Sequence, residues 1–520
     1  MLQRAAISNG CSLAFYKYNV QLYTCKLINQ DIMSYFHLLG HPMNLKRCLS
    51  FLAVCAVSLF LAFVPTTFFG SYPLTGEPIF TLTQQRVIAI FVFTALMWIL
   101  EVIPTWTTSV VAIVSILLTT SNKGLGFLME KENVGSLTNY KDVMASFADP
   151  VIMLFLGGFV LAFAATKVGL DVQLAKVLLK PFGKNPKTVL LGLLLVIGVF
   201  SMFMSNTATA AMMLTFLTPI LLTLPADGGG RISLALAIPI AANIGGMGTP
   251  IGTPPNAIAL GALQEAGYNI TFVDWMVRMV PFVVVMLLIA WFLLFKMFPF
   301  KAKSIELNIE AKPTKTTPFQ KYVVWVTFAL TIILWVGESL FKVNSNIVAM
   351  IPFAVFSATG ILKSRDLEHI NWSVLWMVAG GFALGTALNQ TGLASALIQN
   401  IPFASWSALV VMIVGGLICY FLSNFISNSA AANLVVPILV VVGTAMNGNP
   451  EFESLGGLPA MIIGIAIAAS MAMCLPVSTP PNALAASTGM ITTKQMATVG
   501  IILGVVGLSL GYLMLIFIGF

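Results

Sequence analysis

Charge is what this sequence has least of. Only 8% of its 520 residues are Asp, Glu, Lys or Arg, where a soluble domain carries roughly 25%, so a soluble globular fold is excluded. Histidine is almost missing: three residues, at 37, 41 and 369, all fall in stretches predicted as loops. The six cysteines (11, 25, 48, 55, 419 and 474) show neither metal nor disulfide spacing and read as buried thiols. A net charge of +8 does not indicate nucleic acid. The basic residues sit in short loops between apolar runs, where they act as topology determinants.

What is present is apolar surface. Hydrophobic residues make up 58% of the chain and the mean hydropathy is +0.96, the composition of an all-α polytopic membrane protein. Runs near the ~20 residues needed to cross a bilayer fall at about 49–69, 86–103, 105–120, 148–167, 276–297, 321–341, 345–362, 372–392 and 495–518. Met43-Asn44-Leu45-Lys46-Arg47 resembles a second start, with a basic flank before an apolar run. That run continues to Phe69, longer than the ~7–15 residues of a signal peptide's apolar region. It is therefore expected to be the first span, with 1–42 a dispensable extension and 43–520 the membrane unit. Glu101 and Glu338 stand at span ends, where anchoring or capping explains them better than an intramembrane function.

Four stretches do not fit as simple spans. Residues 187–225 and 405–443 are too long for one helix, and each carries a polar interruption, as in SMFMSNTATAAMMLTFLTP (201–219) and FLSNFISNSAAANLVVP (421–437). Residues 231–264 and 458–488 are broken by GGMGTPIGTPPNA and CLPVSTPPNALA. Pro254-Pro255 and Pro480-Pro481 remove backbone donors and disfavour helix just before them. Broken backbone at membrane depth is tolerated only under cover of protein or in a water-filled cavity. The first pair is thus expected to form re-entrant hairpins and the second pair discontinuous helices, giving about eleven transmembrane spans in all.

The halves repeat. Gly157-Gly158-Phe159 recurs as Gly380-Gly381-Phe382 and Gly169-Leu170 as Gly392-Leu393, both displaced by 223. Ser205-Asn206 recurs as Ser427-Asn428, and Thr253-Pro254-Pro255-Asn256-Ala257 as Thr479-Pro480-Pro481-Asn482-Ala483, displaced by 222 and 226. Four landmarks in one order mark an internal duplication, the first repeat about 86–264, the second about 321–488, and a final span at 493–519. If hairpins count as none, 372–392 is the fifth crossing after its partner 148–167, and an odd displacement makes the repeats inverted. With the N-terminus cytoplasmic and the C-terminus outside, 20 of the 26 Lys and Arg fall inside, in keeping with the positive-inside bias. Lys176, Lys180 and Lys184 share one such loop, and Lys301, Lys303, Lys312 and Lys315 another. Loop 121–147, with three lysines outside, is offset by Glu130, Glu132 and Asp142. Inverted repeats with paired helix breaks point to a secondary transporter whose site lies at the repeat interface.

A site built from these segments holds Ser, Thr, Asn and backbone but no charged side chain. Hydroxyls, Asn carbonyls and carbonyls freed at helix breaks are hard oxygen donors suited to Na⁺, while half-helix N-termini and Asn amides face anions. An anion bound there takes its counter-charge from sodium. Small residues packing helices together would explain one such motif, but not four placed in paired breaks. A serine nucleophile is disfavoured because neither motif pair contains a His or Lys to take its proton. A channel is disfavoured because the motifs pair within one chain rather than ring an axis.

At these motifs the chain resembles the divalent-anion:sodium symporter family over about 45–520. The resemblance implies a sodium-coupled carrier of a divalent anion, a C4-dicarboxylate such as succinate, malate or fumarate, with no cofactor and Na⁺ as the coupling ion. It implies a homodimer in the plasma membrane, the inner membrane in a bacterium, working by elevator-type alternating access. Carried over by position, one sodium site uses Ser201, Ser205, Asn206 and Gly252, and the other Ser423, Ile426 through its carbonyl, Asn428 and Ser478. The substrate meets Asn206, Thr207, Thr253 and Pro254 at one end and Asn428, Ser429, Thr479 and Pro480 at the other. Ser429 stands where the family usually has Thr, which leaves a roomier pocket. Alternatives within transporters are a sodium-coupled citrate or sulfate carrier, a sodium-independent dicarboxylate exchanger and an arsenite-type anion efflux permease.

Overall fold

The computed structural model describes residues 36–38, 41–43, 45–72, 76–225, 228–306 and 316–518. Most of the 1–42 extension, and Lys312 and Lys315 of the topology count, lie outside the described residues. The only paired strands among the described residues are Phe36–Leu38 and His41–Met43, a short antiparallel hairpin before the first long helix, Leu45–Phe63. Among the described residues every later regular element is a helix.

Eleven described helices are long and apolar enough to cross a membrane, but they are not the eleven spans counted from the sequence. Seven coincide with predicted spans, and the other four are the arms of the two hairpins, each 18 residues or about 27 Å long. The predicted spans at 105–120 and 345–362 form shorter helices, Thr105–Thr119 and Ser345–Ala358. The two predicted discontinuous helices are broken as expected, into Gly229–Gly246 and Pro254–Glu265, and into Gly457–Met471 and Pro480–Ser487.

Element order repeats between the halves. A helix carrying Gly-Gly-Phe (Pro150–Val168; Trp372–Gln390) ends at a left-handed glycine, Gly169 or Gly392, each at φ 73°. Positive φ costs glycine little, so the chain turns there into a short helix, Leu170–Leu179 or Leu393–Asn400. A hairpin and a broken span follow in both halves. The Gly-Gly pairs serve packing: a Cβ on Gly157 would lie 2.0 Å from Ala349 O, and one on Gly380 would lie 2.4 Å from Ser109 Cβ. Each Gly-Gly-Phe helix thus packs on a helix of the other half, Ser345–Ala358 or Thr105–Thr119, as small residues permit in membranes.

The first segments of the two broken spans form the centre of the molecule. Nearly every residue of Gly229–Gly246 and all of Gly457–Met471 are buried. The first break, 247–253, is buried with them, so protein rather than lipid covers its freed backbone. At the second break, by contrast, 474–476 are half-buried and Val477 is exposed. Phe272–Met297 packs on Gly229–Gly246, and Thr493–Ile518 on Gly457–Met471. Glu338 is buried and caps two helices, accepting from Phe272 N at 3.2 Å and Ser345 N at 3.3 Å, the capping role expected of it. Glu101 ends Leu82–Leu100 in the left-handed region at φ 44°.

Candidate functional site

The polar interruption in the first hairpin is a two-residue break. Met204 and Ser205 are extended, and the Ser205 hydroxyl accepts from Ala208 N at 3.2 Å, so a new helix starts at Asn206. This is an N-cap within an apolar run, which explains why Ser-Asn-Thr sits there. The fully buried Ser201, one turn back, lies against both Asn206 Oδ1 and Ala242 O, 2.7 Å from each. Ala242 belongs to the first broken span, so the hairpin tip and the helix break lie at one level.

Asn206 can be turned two ways. With its nitrogen inward it donates to Ala242 O and Gly252 O, both at 3.1 Å. With its carbonyl inward, that oxygen joins the Ser201 hydroxyl and the two carbonyls in a cluster of four oxygens. Carbonyl oxygens this close repel unless a cation sits among them, and neutral hard oxygens are the donors Na⁺ takes. The residues fit the ion. Gly252 is required by the fold of the loop, since a Cβ there would lie 2.3 Å from Gly246 O. Thr249 closes the loop onto the hairpin by donating to Met202 O.

The second half rebuilds this arrangement. Ile426 and Ser427 form the break, Ser427 accepts from Ala430 N at 3.3 Å, and a helix starts at Asn428. Ser423 lies 2.8 Å from Asn428 Oδ1 and donates to Ala469 O at 2.9 Å. Ser478 donates to Asn424 O at 2.9 Å, and Asn424 Oδ1 accepts from Cys474 N at 3.1 Å.

The halves then cross. The helix starting at Asn206 packs on Pro480–Ser487, and the helix starting at Asn428 packs on Pro254–Glu265. Four helix N-termini, at Asn206, Pro254, Asn428 and Pro480, therefore gather at the two breaks, a setting that favours an anion. Proline suits the first position of a helix because its missing N–H would have had no intrahelical partner. Thr253 and Thr479 precede the prolines and are nearly buried, whereas Thr207 is exposed and Ser429 half-buried.

The structure brings Ser201, Asn206 and Gly252 into one cluster and Ser423 and Asn428 into another. Ile426 and Ser478 flank the second cluster, and Ser205 acts as a cap. Sequence reasoning missed the carbonyls of Ala242 and Ala469, which carry no residue signal. It also missed Asn243, Asn256, Asn424 and Asn482. Their signal was available, since an asparagine in an apolar run such as PIAANIGG, or in the first Ser-Asn of FLSNFISNS, has to be satisfied somewhere. Among the described residues no group of three or more His, Cys, Asp or Glu is placed to hold a metal. A separate cavity of 420 Å³ lies along the second hairpin, lined by Glu265, Asn389, Asn433 and Thr444 among others, and none of the expected site residues lines it.

Comparison with known proteins agrees with this architecture. The family described as citrate transporter matches residues 95–455. A sodium-dependent dicarboxylate transporter, SdcS, of Staphylococcus saprophyticus is 30% identical, over 80% of this chain and 82% of its own. The protein of that name in Staphylococcus aureus strain USA300 is 31% identical over the same shares, and an uncharacterized transporter of Haemophilus influenzae is 34% identical over 71% and 81%. The crystal structure of the Alcanivorax borkumensis YdaH transporter, described as having an unusual topology, covers 90% of this chain and 97% of its own at a TM-score of 0.52 and 14% identity, a likeness of fold.

Proposed function

This chain belongs to the citrate transporter family, and from that membership we propose that it couples inward sodium movement to uptake of a divalent anion, a C4-dicarboxylate such as succinate, malate or fumarate. It is a multi-pass membrane transporter and not an enzyme. The observation that carries the proposal is the duplicated neutral oxygen cluster, with Ser201, Asn206, Ala242 and Gly252 in one half and Ser423, Asn428 and Ala469 in the other. In this reading Ser205, Ile426 and Ser478 complete the two sodium sites. The dianion lies between them, one end at Asn206, Thr207, Thr253 and Pro254 and the other at Asn428, Ser429, Thr479 and Pro480. The helix N-termini at both ends favour its charge, and the bound sodium supplies the balance that no side chain provides. The relatives named as sodium-dependent dicarboxylate transporters support the same reading.

The rest of the proposal concerns movement. The hairpins are re-entrant, because each turn reaches only the break of a span and not its far end. The repeats, about 86–264 and 321–488, are inverted, with the N-terminus cytoplasmic, the C-terminus outside, and 1–42 dispensable. Hairpins and broken spans travel together against the remaining helices in an elevator-type cycle within a homodimer of the plasma membrane, the inner membrane in a bacterium. A second reading, a sodium-coupled citrate carrier, is favoured by the family's description and by Ser429, which lacks the methyl of a threonine.

The test is uptake by the purified protein in liposomes, with labelled succinate, citrate and sulfate and with sodium or potassium outside. Saturable, sodium-dependent and electrogenic succinate uptake is expected. Uptake unchanged in potassium would overturn sodium coupling, and preference for citrate would select the second reading.

A further inference from the structure

The threonines at the two substrate ends are held differently, and the difference begins with one asparagine. Asn482 Nδ2 donates to Met473 O at 2.8 Å and Leu475 O at 2.9 Å. Both amide hydrogens are thereby used, and Oδ1 turns toward the first broken span. There Asn243, 1% exposed, donates through Nδ2 to Asn482 Oδ1 and to Thr479 Oγ1, each at 3.1 Å. Thr479 Oγ1 also accepts from Asn482 N at 3.3 Å. A hydroxyl oxygen that accepts twice has both lone pairs engaged, so its own proton must be given away. Among the described residues the Thr479 side chain donates to none. An anionic oxygen in front of it is the strongest acceptor it could meet.

The first repeat lacks this device. Asn256 corresponds to Asn482 and is held in the same way, Nδ2 donating to Gly246 O at 3.0 Å and Thr249 O at 2.8 Å. Helix Gly457–Met471 packs on Pro254–Glu265, as Gly229–Gly246 packs on Pro480–Ser487. Ala469 accepts from Ser423 as Ala242 accepts from Ser201, so the residue in the place of Asn243 is Ser470. Serine has two fewer heavy atoms, and its Oγ stops one bond short of where an asparagine Nδ2 would reach. Ser470 Oγ and Asn256 Oδ1 are both buried without a partner, and Thr253 makes no capping hydrogen bond through its side chain.

We infer that Asn243 is a positioning residue that fixes the Thr479 hydroxyl as a donor to one end of the anion, while the Thr253 hydroxyl remains free to rotate. The site then has one strict anionic end and one adaptable end. This rests on the proposed function, in which both threonines meet substrate.

The test exchanges the two residues in the full chain, with succinate and citrate uptake measured in liposomes under a sodium gradient. Asn243→Ser gives the first repeat the residue of the second. It is expected to raise KM about tenfold, with kcat within about twofold and the half-saturating sodium concentration unmoved, the pattern of a lost ground-state contact. Ser470→Asn supplies the missing amide and is expected to lower KM. A purely structural role for Asn243 would lower kcat and weaken sodium together. An unchanged KM in Asn243→Ser, or an equal shift in sodium dependence, overturns the inference. Should that variant fail to reach the membrane, an unchanged KM in Ser470→Asn overturns it instead. Failure of the proposed function is distinguishable, because then wild type itself takes up neither anion.

Discussion

The two hairpin tips solve one problem with different residues. In the first half, Thr249 in the loop of the broken span donates to the carbonyl of Met202; in the second, Ser478 donates to the carbonyl of Asn424. The accepting positions correspond under the displacement of 222 that relates Ser205-Asn206 to Ser427-Asn428. The donating positions do not, for Ser478 corresponds to Gly252 under the displacement of 226. Between the two halves the carbonyl that must be satisfied keeps its place, while the hydroxyl that satisfies it sits at a different position along the loop. The serine–asparagine–alanine contact is unchanged: Ser201, Asn206 and Ala242 in one half, Ser423, Asn428 and Ala469 in the other. What stays fixed is the serine–asparagine–alanine core of each proposed sodium site, and what drifts is the loop residue that closes it.

If that distinction is right, the largest effect comes from the fixed part. Asn206→Ala and Asn428→Ala each remove a carbonyl for sodium and an amide for the anion, so both bindings and uptake should fall by on the order of a hundredfold or more. Isothermal titration of purified variants with sodium, then with succinate, checks this, and one variant that keeps both affinities would break the equivalence of the tips. Next in size, Asn206→Asp and Asn428→Asp keep an oxygen for sodium but replace the amide donor with a charge that repels a dianion. Succinate affinity is expected to drop by about tenfold or more while sodium affinity is largely retained. Wild-type succinate affinity in either variant would mean that asparagine does not touch the anion.

The drifting part should respond unequally. Gly252→Ser places a Cβ against Gly246 O at 2.3 Å, a backbone atom that cannot rotate away, so the loop must shift and uptake should fall about tenfold. Ser478→Gly, the reverse exchange, forces no clash but removes a hydroxyl that donates to Asn424 O and accepts from Leu475 N. A loss of about fivefold is expected, the lower end for two hydrogen bonds at a net ~0.5–1.5 kcal/mol each. Equal losses in a side-by-side uptake assay would show that the two loops are tighter equivalents than the contacts indicate. Smallest of all, deleting residues 1–42 should leave uptake unchanged, because neither half of the comparison involves them; loss of activity in a truncated chain that reaches the membrane would refute that boundary.

Much of the fold was legible because a membrane imposes it. Apolar runs of span length, Pro254-Pro255 and Pro480-Pro481 within two of them, and Ser-Asn pairs at one displacement are linear signals, each with a single physical cause. The span count was less secure. The four hairpin arms are as long and apolar as the helices assigned as spans, so composition does not separate the two kinds. Thr105–Thr119 is bounded by Pro104 and Ser345–Ala358 ends just before the left-handed Gly360, and each packs on the other half, at Ser109 and Ala349.

The sequence alone determined which segments are helical, where the helices break, and which polar residues stand at the breaks, because these depend on neighbours along the chain: a cap three residues before the amide it receives, or a proline that removes a donor. Only the tertiary structure decided what those residues meet. That Asn206 faces the carbonyls of Ala242 and Gly252, that Asn243 reaches Thr479 across the repeats, and that Ser470 falls short of Asn256 all depend on segments dozens to hundreds of residues apart coming to one depth. A backbone carbonyl has the same formula at every position, so no sequence pattern marks the one that packing will leave facing an ion.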